Sequence, residues 1–265
     1  MKVFATSSLP GAVLDALLPH CDLRVWDQTR PISPTELAQH IAGCDGLLCL
    51  LTNRVDQSLL DACPDLKAVS SMSVGVDHVD VAALTARGIP LGNTPGVLVD
   101  TTAELAMALM LAAARRIPEA DRFVRAGNWR PEQPWHPDMM VGKDLSGATL
   151  GVLGLGAIGQ AVAARAQAFG MQVLGWNRSP RDVAGVRNVE LDELLAASDV
   201  LSVHVALTAT TRNMLDEAAI ARMKPGAILV NTARGGIVDE QALARALGDG
   251  RLFSAGLDVF ASEPL

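Results

Sequence analysis

Short apolar runs alternate along most of the chain with segments of helical periodicity. Runs such as Gly46–Leu50 and residues 150–153 are typical of strands buried on both faces of a parallel sheet. Between them, apolar residues recur three or four positions apart, as on amphipathic helices. This alternation predicts an α/β protein with two doubly wound parallel sheets, a flavodoxin-like domain over residues 1–99 and a Rossmann domain over residues 100–265.

The same pattern predicts the individual elements. The predicted strands cover residues 3–6, 23–26, 46–50, 66–70, 149–153, 172–176, 200–203, 227–230 and 254–257. The predicted helices cover residues 11–18, from 34, 57–62, from about 79, 101–115, 118–126, 158–169, 191–197, 216–223 and 240–247.

Local signals predict where three helices begin and where the domains divide. Ser33 and Glu36 have the spacing of a capping box, and so do Thr101 and Glu104. Asp77 is expected to cap the helix near residue 79. Residues 93–96, Asn-Thr-Pro-Gly, interrupt the alternation and predict the boundary between the domains.

Three glycines between a predicted strand and a predicted helix give the strongest chemical signal. Gly154, Gly156 and Gly159 have G-x-G-x-x-G spacing. In a dinucleotide-binding turn the first glycine permits a tight turn, the second lets the backbone approach a pyrophosphate, and the third lets the helix pack on the strand. The helix N-terminus favours the phosphates. The predicted cofactor contacts here are Gly154, Gly156, Ala157, Ile158 and Gly159.

The end of the next strand predicts which dinucleotide is preferred. An acidic residue that binds the ribose hydroxyls is usual at this position in NAD-binding sites. Here Asn177, Arg178 and Ser179 follow the strand, with Arg181 nearby. A guanidinium attracts a 2′-phosphate, so we expect a preference for NADP over NAD, with NAD use possible; a polar surface turn with no selectivity is the alternative.

Composition narrows the class of protein. The chain has 265 residues, 49% of them hydrophobic and 19% charged, with a net charge of −7. Interspersed charges of this balance argue against a nucleic acid or a membrane surface as the main partner. The apolar run 105–114 is too short to span a bilayer.

Cysteine usage predicts neither a zinc site nor disulfides. The four cysteines lie in the first quarter of the chain without C-x-x-C spacing or a histidine cluster, at Cys21, Cys44, Cys49 and Cys63. Buried free thiols in a reducing compartment fit better. The N-terminus lacks a signal-peptide layout, so we expect a cytoplasmic protein and no metal.

Two further segments have two interpretations each. Residues 71–78 form a loop after a predicted strand, where Gly75 would let backbone N–H groups bind a carboxylate; taken alone, the segment is better explained as an ordinary strand-to-helix turn. The helical region 101–126 has an alanine- and leucine-rich face, which suits packing between domains or across the two-fold axis of a homodimer.

Four segments together resemble the D-isomer-specific 2-hydroxyacid dehydrogenase family, and within it most the glyoxylate/hydroxypyruvate reductase group. They are Ile-Leu-Val-Asn-Thr-Ala-Arg-Gly-Gly-Ile-Val-Asp-Glu at 228–240, Ala-Gly-Leu-Asp-Val-Phe-Ala-Ser-Glu-Pro at 255–264, Met-Ser-Val-Gly-Val-Asp-His at 72–78 and Asp-Thr-Thr-Ala-Glu-Leu-Ala at 100–106. The resemblance covers the whole chain and implies a substrate domain before the cofactor domain, with the site in the cleft between them.

The resemblance also implies roles for single residues. Arg234 matches the arginine that holds the substrate carboxylate and polarises its carbonyl, and Glu263 matches the glutamate that hydrogen-bonds a catalytic histidine. The amides of Ser73, Val74 and Gly75 match a carboxylate-binding loop. Pocket walls are expected at Leu51 and Met72. Cofactor contacts are expected at Thr102, Thr232, Ala233 and Asp258, and at His204, which lies beside the cofactor without being the catalytic histidine. Residues 205–208 lack the proline usual after that histidine.

The sequence departs from the family at its end. The family's catalytic histidine lies in a Pro-His-x-Gly-like segment tens of residues after the Glu-Pro pair, and this chain stops at Leu265. None of its five histidines has that context: His20, His40, His78, His136 and His204. An incomplete record of an ordinary enzyme and a truncated chain without its general acid are the two interpretations; we favour the first, because Arg234 and Glu263 serve little purpose without the histidine.

The expected function is therefore reduction of a small 2-oxo acid, glyoxylate or hydroxypyruvate, with NADPH. A catalytically impaired dinucleotide sensor or corepressor is the alternative from another class. A phosphoglycerate, formate or phosphite dehydrogenase is the alternative among enzymes, and Ser73 stands where phosphite-oxidising relatives tend to have lysine.

Overall fold

A five-stranded parallel sheet forms the first of two units, Met1–Val97, in a computed structural model that describes residues 1–9 and 12–265. Its strand order is β2-β1-β3-β4-β5, which is the flavodoxin-like order. The strands are β1 Lys2–Ala5, β2 Asp22–Val25, β3 Gly46–Leu50, β4 Ala68–Met72 and β5 Leu91–Gly92. The helices are α1 Pro34–Ile41, α2 Gln57–Ala62 and α3 Val81–Ala86, with a short 3₁₀ helix at Leu14–Ala16.

A six-stranded parallel sheet forms the second unit, Leu98–Leu265. The strand order is β11-β10-β9-β6-β7-β8, the Rossmann order 3-2-1-4-5-6 when counted from β6. Its strands are β6 Thr149–Leu153, β7 Gln172–Trp176, β8 Val186–Asn188, β9 Val200–Val203, β10 Ile228–Asn231 and β11 Ser254–Leu257. Its helices are α4 Val99–Ala114, α5 Ile117–Arg125, α6 Ala157–Ala168, α7 Leu191–Ala197, α8 Glu217–Arg222 and α9 Glu240–Gly248.

Both faces of the second sheet are covered, which explains why its central strands are mainly apolar. Leu150 and Val152 pack with α4 and α6 on one face, whereas Leu153 packs with α7, α8 and α9 on the other. Successive strand residues point to opposite faces, so a strand buried on both sides needs an uninterrupted apolar run. The prediction of two doubly wound parallel sheets is confirmed.

Three predictions of helix starts or ends are corrected. The capping box at Ser33 and Glu36 is confirmed, but Asp80, not Asp77, caps α3 by accepting a hydrogen bond from the Ala83 N–H at 2.9 Å. Helix α4 begins at Val99 without a side-chain cap, so Thr101 and Glu104 lie inside its first turns and form no capping box. Of the predicted helix 11–18, only the 3₁₀ turn Leu14–Ala16 forms, with no buried residue; Gly11 lies outside the described residues.

Two short strands were not predicted, and a third strand begins later than predicted. Strands β5 and β8 have only two and three residues, too few for a periodic signal. Strand β4 begins two residues later than predicted, at Ala68, where its pairing with β3 starts. No helix in the described part of the chain is long and apolar enough to cross a membrane.

Candidate functional site

The ends of five parallel strands in the second unit lie in one row. Pairing across the sheet joins Trp176 to Leu153, Leu153 to Val203, Val203 to Asn231, and Asn231 to Leu257. The residues that follow this row are five of the predicted cofactor contacts: Asn177, Gly154, His204, Thr232 and Asp258. Ligands of open α/β sheets bind outside the carboxyl ends of the strands. The row therefore brings together residues up to 104 positions apart, from 154 to 258.

The three glycines of the turn have three different surroundings. Gly154 has φ +107°, and a Cβ there would lie 2.7 Å from the carbonyl carbon of His204. A Cβ on Gly159 would lie 2.0 Å from the Gly154 carbonyl oxygen. A Cβ on Gly156 would meet nothing within 4 Å. The first and third glycines are thus required by the fold itself, whereas the second leaves open space over the turn.

Helix α6 begins at this open space without a side-chain cap. Gly156 occupies its N-cap position and supplies no side-chain hydrogen bond. Ala157 is exposed and Ile158 is half-buried, so the first turn faces outward. The first N–H groups of a helix lack intrahelical partners and carry the positive end of its dipole. This arrangement suits an anion such as a phosphate.

The loop after β7 is held by the side chain of Asn177. Its Oδ1 accepts a hydrogen bond from the Leu155 N–H at 3.2 Å, and its Nδ2 donates to the Ser179 carbonyl oxygen at 2.8 Å. Arg178 and Ser179 are exposed. Within residues 1–9 and 12–265, the Arg178 guanidinium has no hydrogen-bond or ion-pair partner. A cation is thus presented to solvent beside the glycine turn.

His204 is held in its neutral form. Burial lowers the pKa of its imidazole to about 4, because a charged ring would lose its hydration. Its Nε2 lies 2.8 Å from the Oγ of the buried Ser202, and its backbone N–H bonds to the Leu153 carbonyl. A ring that is neutral near pH 7 is a poor general acid, which fits a residue that contacts a cofactor without donating a proton.

Strand β10 ends in a loop with an unpartnered buried hydroxyl. Thr232 is only 8% exposed, and among the described residues its Oγ1 has no hydrogen-bond partner. Such a group costs folding free energy unless a ligand or water satisfies it. Asn231 shapes the loop: its Oδ1 accepts from the Ala233 N–H at 3.0 Å and its Nδ2 donates to the Arg234 carbonyl at 2.9 Å.

Arg234 follows directly on this loop. Its backbone is extended, it is half-buried, and its Nη1 donates to the Ala233 carbonyl oxygen at 2.8 Å. The next residue cannot carry a side chain, since a Cβ on Gly235 would lie 1.9 Å from the Phe260 carbonyl carbon. The segment that carries Arg234 is therefore packed against the segment that follows β11.

The segment after β11 carries the two remaining acidic residues of the prediction. Asp258 is exposed, and its N–H bonds to the Asn231 carbonyl at 3.0 Å. Glu263 is exposed, and its Oε1 accepts a hydrogen bond from the Phe260 N–H at 2.7 Å. The Ala261 N–H donates to Glu240 of α9 at 2.5 Å. Both carboxylates thus lie on a segment that is anchored to β10 and α9.

Thr102 lies in the first turns of α4 and is half-buried. Helix α4 packs on α6, β10 and β11, and a Cβ on Gly256 of β11 would lie 2.8 Å from the Leu109 Cβ. Arg165 of α6 donates to Asp100 of α4 at 2.9 Å. These contacts place the start of α4 beside the helix that begins at the glycine turn.

The first unit has its own loop at the end of β4. Leu51, Met72 and Val74 are exposed apolar residues, and Ser73 is buried. The carbonyls of Ser73, Val74 and Gly75 accept hydrogen bonds from the Thr94 N–H, Asn93 Nδ2 and Ser73 Oγ. In the described part of the chain, no group accepts from the Val74 or Gly75 N–H. Two adjacent N–H groups on a fixed loop suit an anion.

Neither unit has a metal centre among the residues that the structure describes. These ranges contain no group of three His, Cys, Asp or Glu residues that could hold a metal ion. The four cysteines are free thiols, three of them buried. Burial raises the pKa of Cys49 and of Cys63, which keeps these thiols protonated and unreactive.

Several residues that shape the site were not predicted to do so. They are Gln160, Gly175, Arg181, Ser202 and Asn231. Gly175 and Asn231 had a visible signal, since each is a small or polar residue within an apolar strand. Side-chain contacts of the other three depend on how separate loops meet, which one sequence does not contain.

Comparisons with known proteins agree with this geometry. A sequence profile described as "D-isomer specific 2-hydroxyacid dehydrogenase, NAD binding domain" matches residues 107–265. The chain is 46% identical to a glyoxylate reductase of Korarchaeum cryptofilum, over 100% of this chain and 80% of that protein.

Two solved structures are also similar to this chain over its whole length. The TT0316 protein of Thermus thermophilus has a TM-score of 0.92 and 44% identity, over 100% of this chain and 84% of that one. An NADPH-dependent glyoxylate/hydroxypyruvate reductase of Sinorhizobium meliloti, solved with NADP and malonate, has a TM-score of 0.85 and 32% identity, over 100% and 81%.

Proposed function

Because the chain belongs to the D-isomer-specific 2-hydroxyacid dehydrogenase family, we propose that it reduces a small 2-oxo acid, glyoxylate or hydroxypyruvate, to the 2-hydroxy acid with NADPH. The observation that carries this proposal is the row of strand ends, which collects an uncapped helix start, an unpartnered buried hydroxyl and the loop of Arg234 at one edge of one sheet. We also propose that residues 1–99 are the substrate domain and residues 100–265 the cofactor domain.

A nicotinamide dinucleotide fits the second unit. The space over Gly156 and the free N–H groups of α6, at Ala157 and Ile158, suit the pyrophosphate. Thr232 Oγ1 offers a hydrogen bond that no described residue takes. Further contacts are proposed for Thr102, Ala233, His204 and Asp258. When bound, the cofactor supplies the hydride.

Preference for NADP is proposed from the loop after β7. Arg178 is exposed and has no ion-pair partner in the described ranges, and Asn177 adds no negative charge. A guanidinium forms bidentate bonds with a phosphate. We therefore propose that Arg178 and Ser179 bind the 2′-phosphate, which NADH lacks.

Substrate binding is proposed for Arg234. Its guanidinium is permanently charged and planar, so it can hold a carboxylate and polarise the adjacent carbonyl. Its backbone is fixed by Asn231 on one side and by the Gly235–Phe260 approach on the other, which keeps reorganisation small. Glu263 is proposed to orient the proton donor. Within the first unit, the N–H groups of Val74 and Gly75 are proposed to bind a substrate carboxylate, with Leu51 and Met72 as pocket walls.

A homodimer through the helical region 101–126 is proposed from α5. This helix contains no buried residue, and its apolar residues Ile117 and Val124 are each 53% exposed. Trp129 and Trp135, in the segment that follows, are 62% and 69% exposed. A second copy would cover this apolar surface. The test is the molecular mass of the Val124→Glu protein by light scattering. Phe169→Glu, directly after α6, is the control, since it also places a glutamate at an exposed apolar position. A dimeric V124E protein would contradict the proposal.

The proposed reaction is tested by following NADPH oxidation with glyoxylate, hydroxypyruvate and pyruvate, together with the reverse reaction on D- and L-glycerate. We expect the two named acids to give the highest kcat/KM and only the D-isomer to be oxidised. Calorimetric titration with NADPH measures cofactor binding separately. Tight NADPH binding without turnover of any 2-oxo acid would refute the reductase and favour a sensor.

A further inference from the structure

The backbone N–H and the backbone carbonyl of Leu155 are both hydrogen-bonded to side chains. Leu155 stands between Gly154 and Gly156, so it forms the middle of the glycine turn. Its N–H donates to Asn177 Oδ1 at 3.2 Å. Its carbonyl oxygen accepts from Gln160 Nε2 at 2.9 Å and from Arg181 Nη1 at 3.4 Å.

The loop after β7 is tied by the same residues. Asn177 Nδ2 donates to the Ser179 carbonyl at 2.8 Å, so one amide bridges the glycine turn and this loop. Further along the loop, Asn188 Nδ2 donates to the Arg181 carbonyl at 2.7 Å. Arg178 thus lies between two hydrogen-bonded points of the loop, Asn177 and Arg181.

Packing adds to these hydrogen bonds. The Leu155 side chain is fully buried and lies over β7. A Cβ on Gly175 would be 2.7 Å from Leu155 Cδ1 and 2.8 Å from Val186 Cγ1. A glycine at position 175 therefore makes the room that the Leu155 side chain occupies.

We propose that Asn177 is a positioning residue that joins the loop of Arg178 and Ser179 to the pyrophosphate turn, so that the two parts of the dinucleotide site form one rigid unit. This deepens the proposed function and rests on its cofactor site. The amide is required because it must accept from Leu155 and donate to Ser179 at once. The absence of a negative charge on the Asn177 side chain beside a 2′-phosphate is then only part of the role of this residue.

The proposal has a consequence for cofactor specificity. An aspartate at position 177 still accepts the Leu155 N–H, but it cannot donate to the Ser179 carbonyl. Its second oxygen would face that carbonyl oxygen, and the loop would move away. Asn177→Asp should therefore weaken the binding of both NADPH and NADH, instead of shifting preference to NADH as the loss of a phosphate site alone would.

Two measurements test this on the purified protein. Hydrogen exchange without cofactor reports the Leu155 amide, through peptides that cover 154–160. Calorimetry gives Kd for NADPH and NADH. We expect Asn177→Asp to raise the exchange rate across the turn, to weaken NADH about tenfold and to weaken NADPH more. Gln160→Met, which removes one carbonyl donor without a charge, should weaken both cofactors by a similar factor.

Gln57→Glu is the control. Gln57 Nε2 also donates a hydrogen bond, to Asp61 Oδ1 at 2.8 Å, but within α2 of the first unit. This variant should leave both Kd values and the exchange of 154–160 unchanged. Tighter NADH binding by N177D, or unchanged exchange in N177D, would overturn the inference. If the wild-type protein binds neither cofactor, the proposed function fails instead, while the exchange measurement still tests the contacts.

Discussion

The carbonyl oxygen of Gly154 lies 2.0 Å from the position that a Cβ on Gly159 would occupy. Gly154 ends the strand side of the turn and Gly159 lies in the first turns of α6, so this distance sets how closely helix and strand approach. Gly156, between them, has open space in the same direction. Two glycines of one motif are therefore required by the fold, and the third leaves the space that we propose for the cofactor pyrophosphate.

Alanine at these glycines should separate stability from binding. Gly159→Ala should lower the free energy of unfolding by about 1–3 kcal/mol, because the Cβ meets backbone that must move. Gly156→Ala should cost less, about 0.5–1 kcal/mol, because Gly156 is the N-cap of α6 and alanine is a poorer N-cap than glycine, and it should weaken NADPH binding about tenfold or more. Urea denaturation and calorimetry measure the two effects. A strongly destabilised G156A protein would contradict this division.

Thr232→Val should affect stability and binding in opposite directions. Removing the unpartnered hydroxyl leaves the free energy of unfolding unchanged or raises it, because about 1–3 kcal/mol of desolvation cost disappears. NADPH affinity should fall about tenfold. Thr6→Val is the control: Thr6 is equally buried, but its hydroxyl donates to Asn53 at 2.6 Å, so that variant should lose stability. Equal changes in the free energy of unfolding in Thr232→Val and Thr6→Val would show that the Thr232 hydroxyl does not carry an uncompensated desolvation cost.

Arg234→Ala should abolish most turnover while the protein still binds NADPH. Loss of one charged donor at a reacting carbonyl costs about 10²–10³ in kcat. Arg234→Lys should recover little, because an ammonium lacks the planar pair of donors. The control is Arg222→Ala, an exposed arginine that pairs with Asp192 on a neighbouring helix. Unchanged kcat/KM in R234A would end the proposed role.

His204 should make stability depend on pH. Its folded pKa of about 4 lies below the unfolded value of about 6.5, so the unfolded chain binds more protons between these values. Its contribution is therefore complete above about pH 6.5 and is lost as the pH falls toward 4. Between pH 7 and 5 this amounts to at most about 2 kcal/mol. Between pH 7 and pH 5 the free energy of unfolding should fall less for the His204→Gln variant than for the wild-type protein. An identical fall in both proteins would contradict this role of His204.

Arg178→Ala should raise the Kd for NADPH about tenfold or more and leave that for NADH unchanged, because only NADPH carries the phosphate. Arg187→Ala is the control. Arg187 is exposed on the neighbouring strand and pairs with Glu193 at 2.6 Å, so its loss should not discriminate between the cofactors. Parallel losses of both cofactors in R178A would show that Arg178 acts on the loop and not on the phosphate.

The fold was predictable because burial on both faces of a sheet leaves long apolar runs. Strand β6 and helix α7 have the predicted bounds, Thr149–Leu153 and Leu191–Ala197. Strands β5 and β8 were missed because two or three residues carry no period. The start of α4 was misplaced because a Thr-x-x-Glu pattern fits a capping box equally well inside a helix.

Features of the candidate site that depend on local backbone geometry could be predicted from the sequence. Contacts between side chains of separate loops could not. The glycine turn depends on local geometry, so its spacing identified it. The hydrogen bonds of Asn177 to Leu155 and Ser179 depend on how β6 and β7 pair. The sequence indicated the missing carboxylate at position 177 but not the task that the amide performs.

Strands β6, β7, β9, β10 and β11 end at paired residues in one row. The sheet that gives stability is therefore separate from the connections that carry the proposed ligand contacts. Each proposed cofactor contact in this row is the first residue of a different connection, so a change in one connection leaves the hydrogen-bond ladder of the sheet intact. Insertions deeper in those connections should be tolerated, whereas deletion of one residue within a strand would shift its register and turn the following side chains to the opposite face of the sheet. New specificities are therefore most accessible to engineering by exchanging one connection at a time.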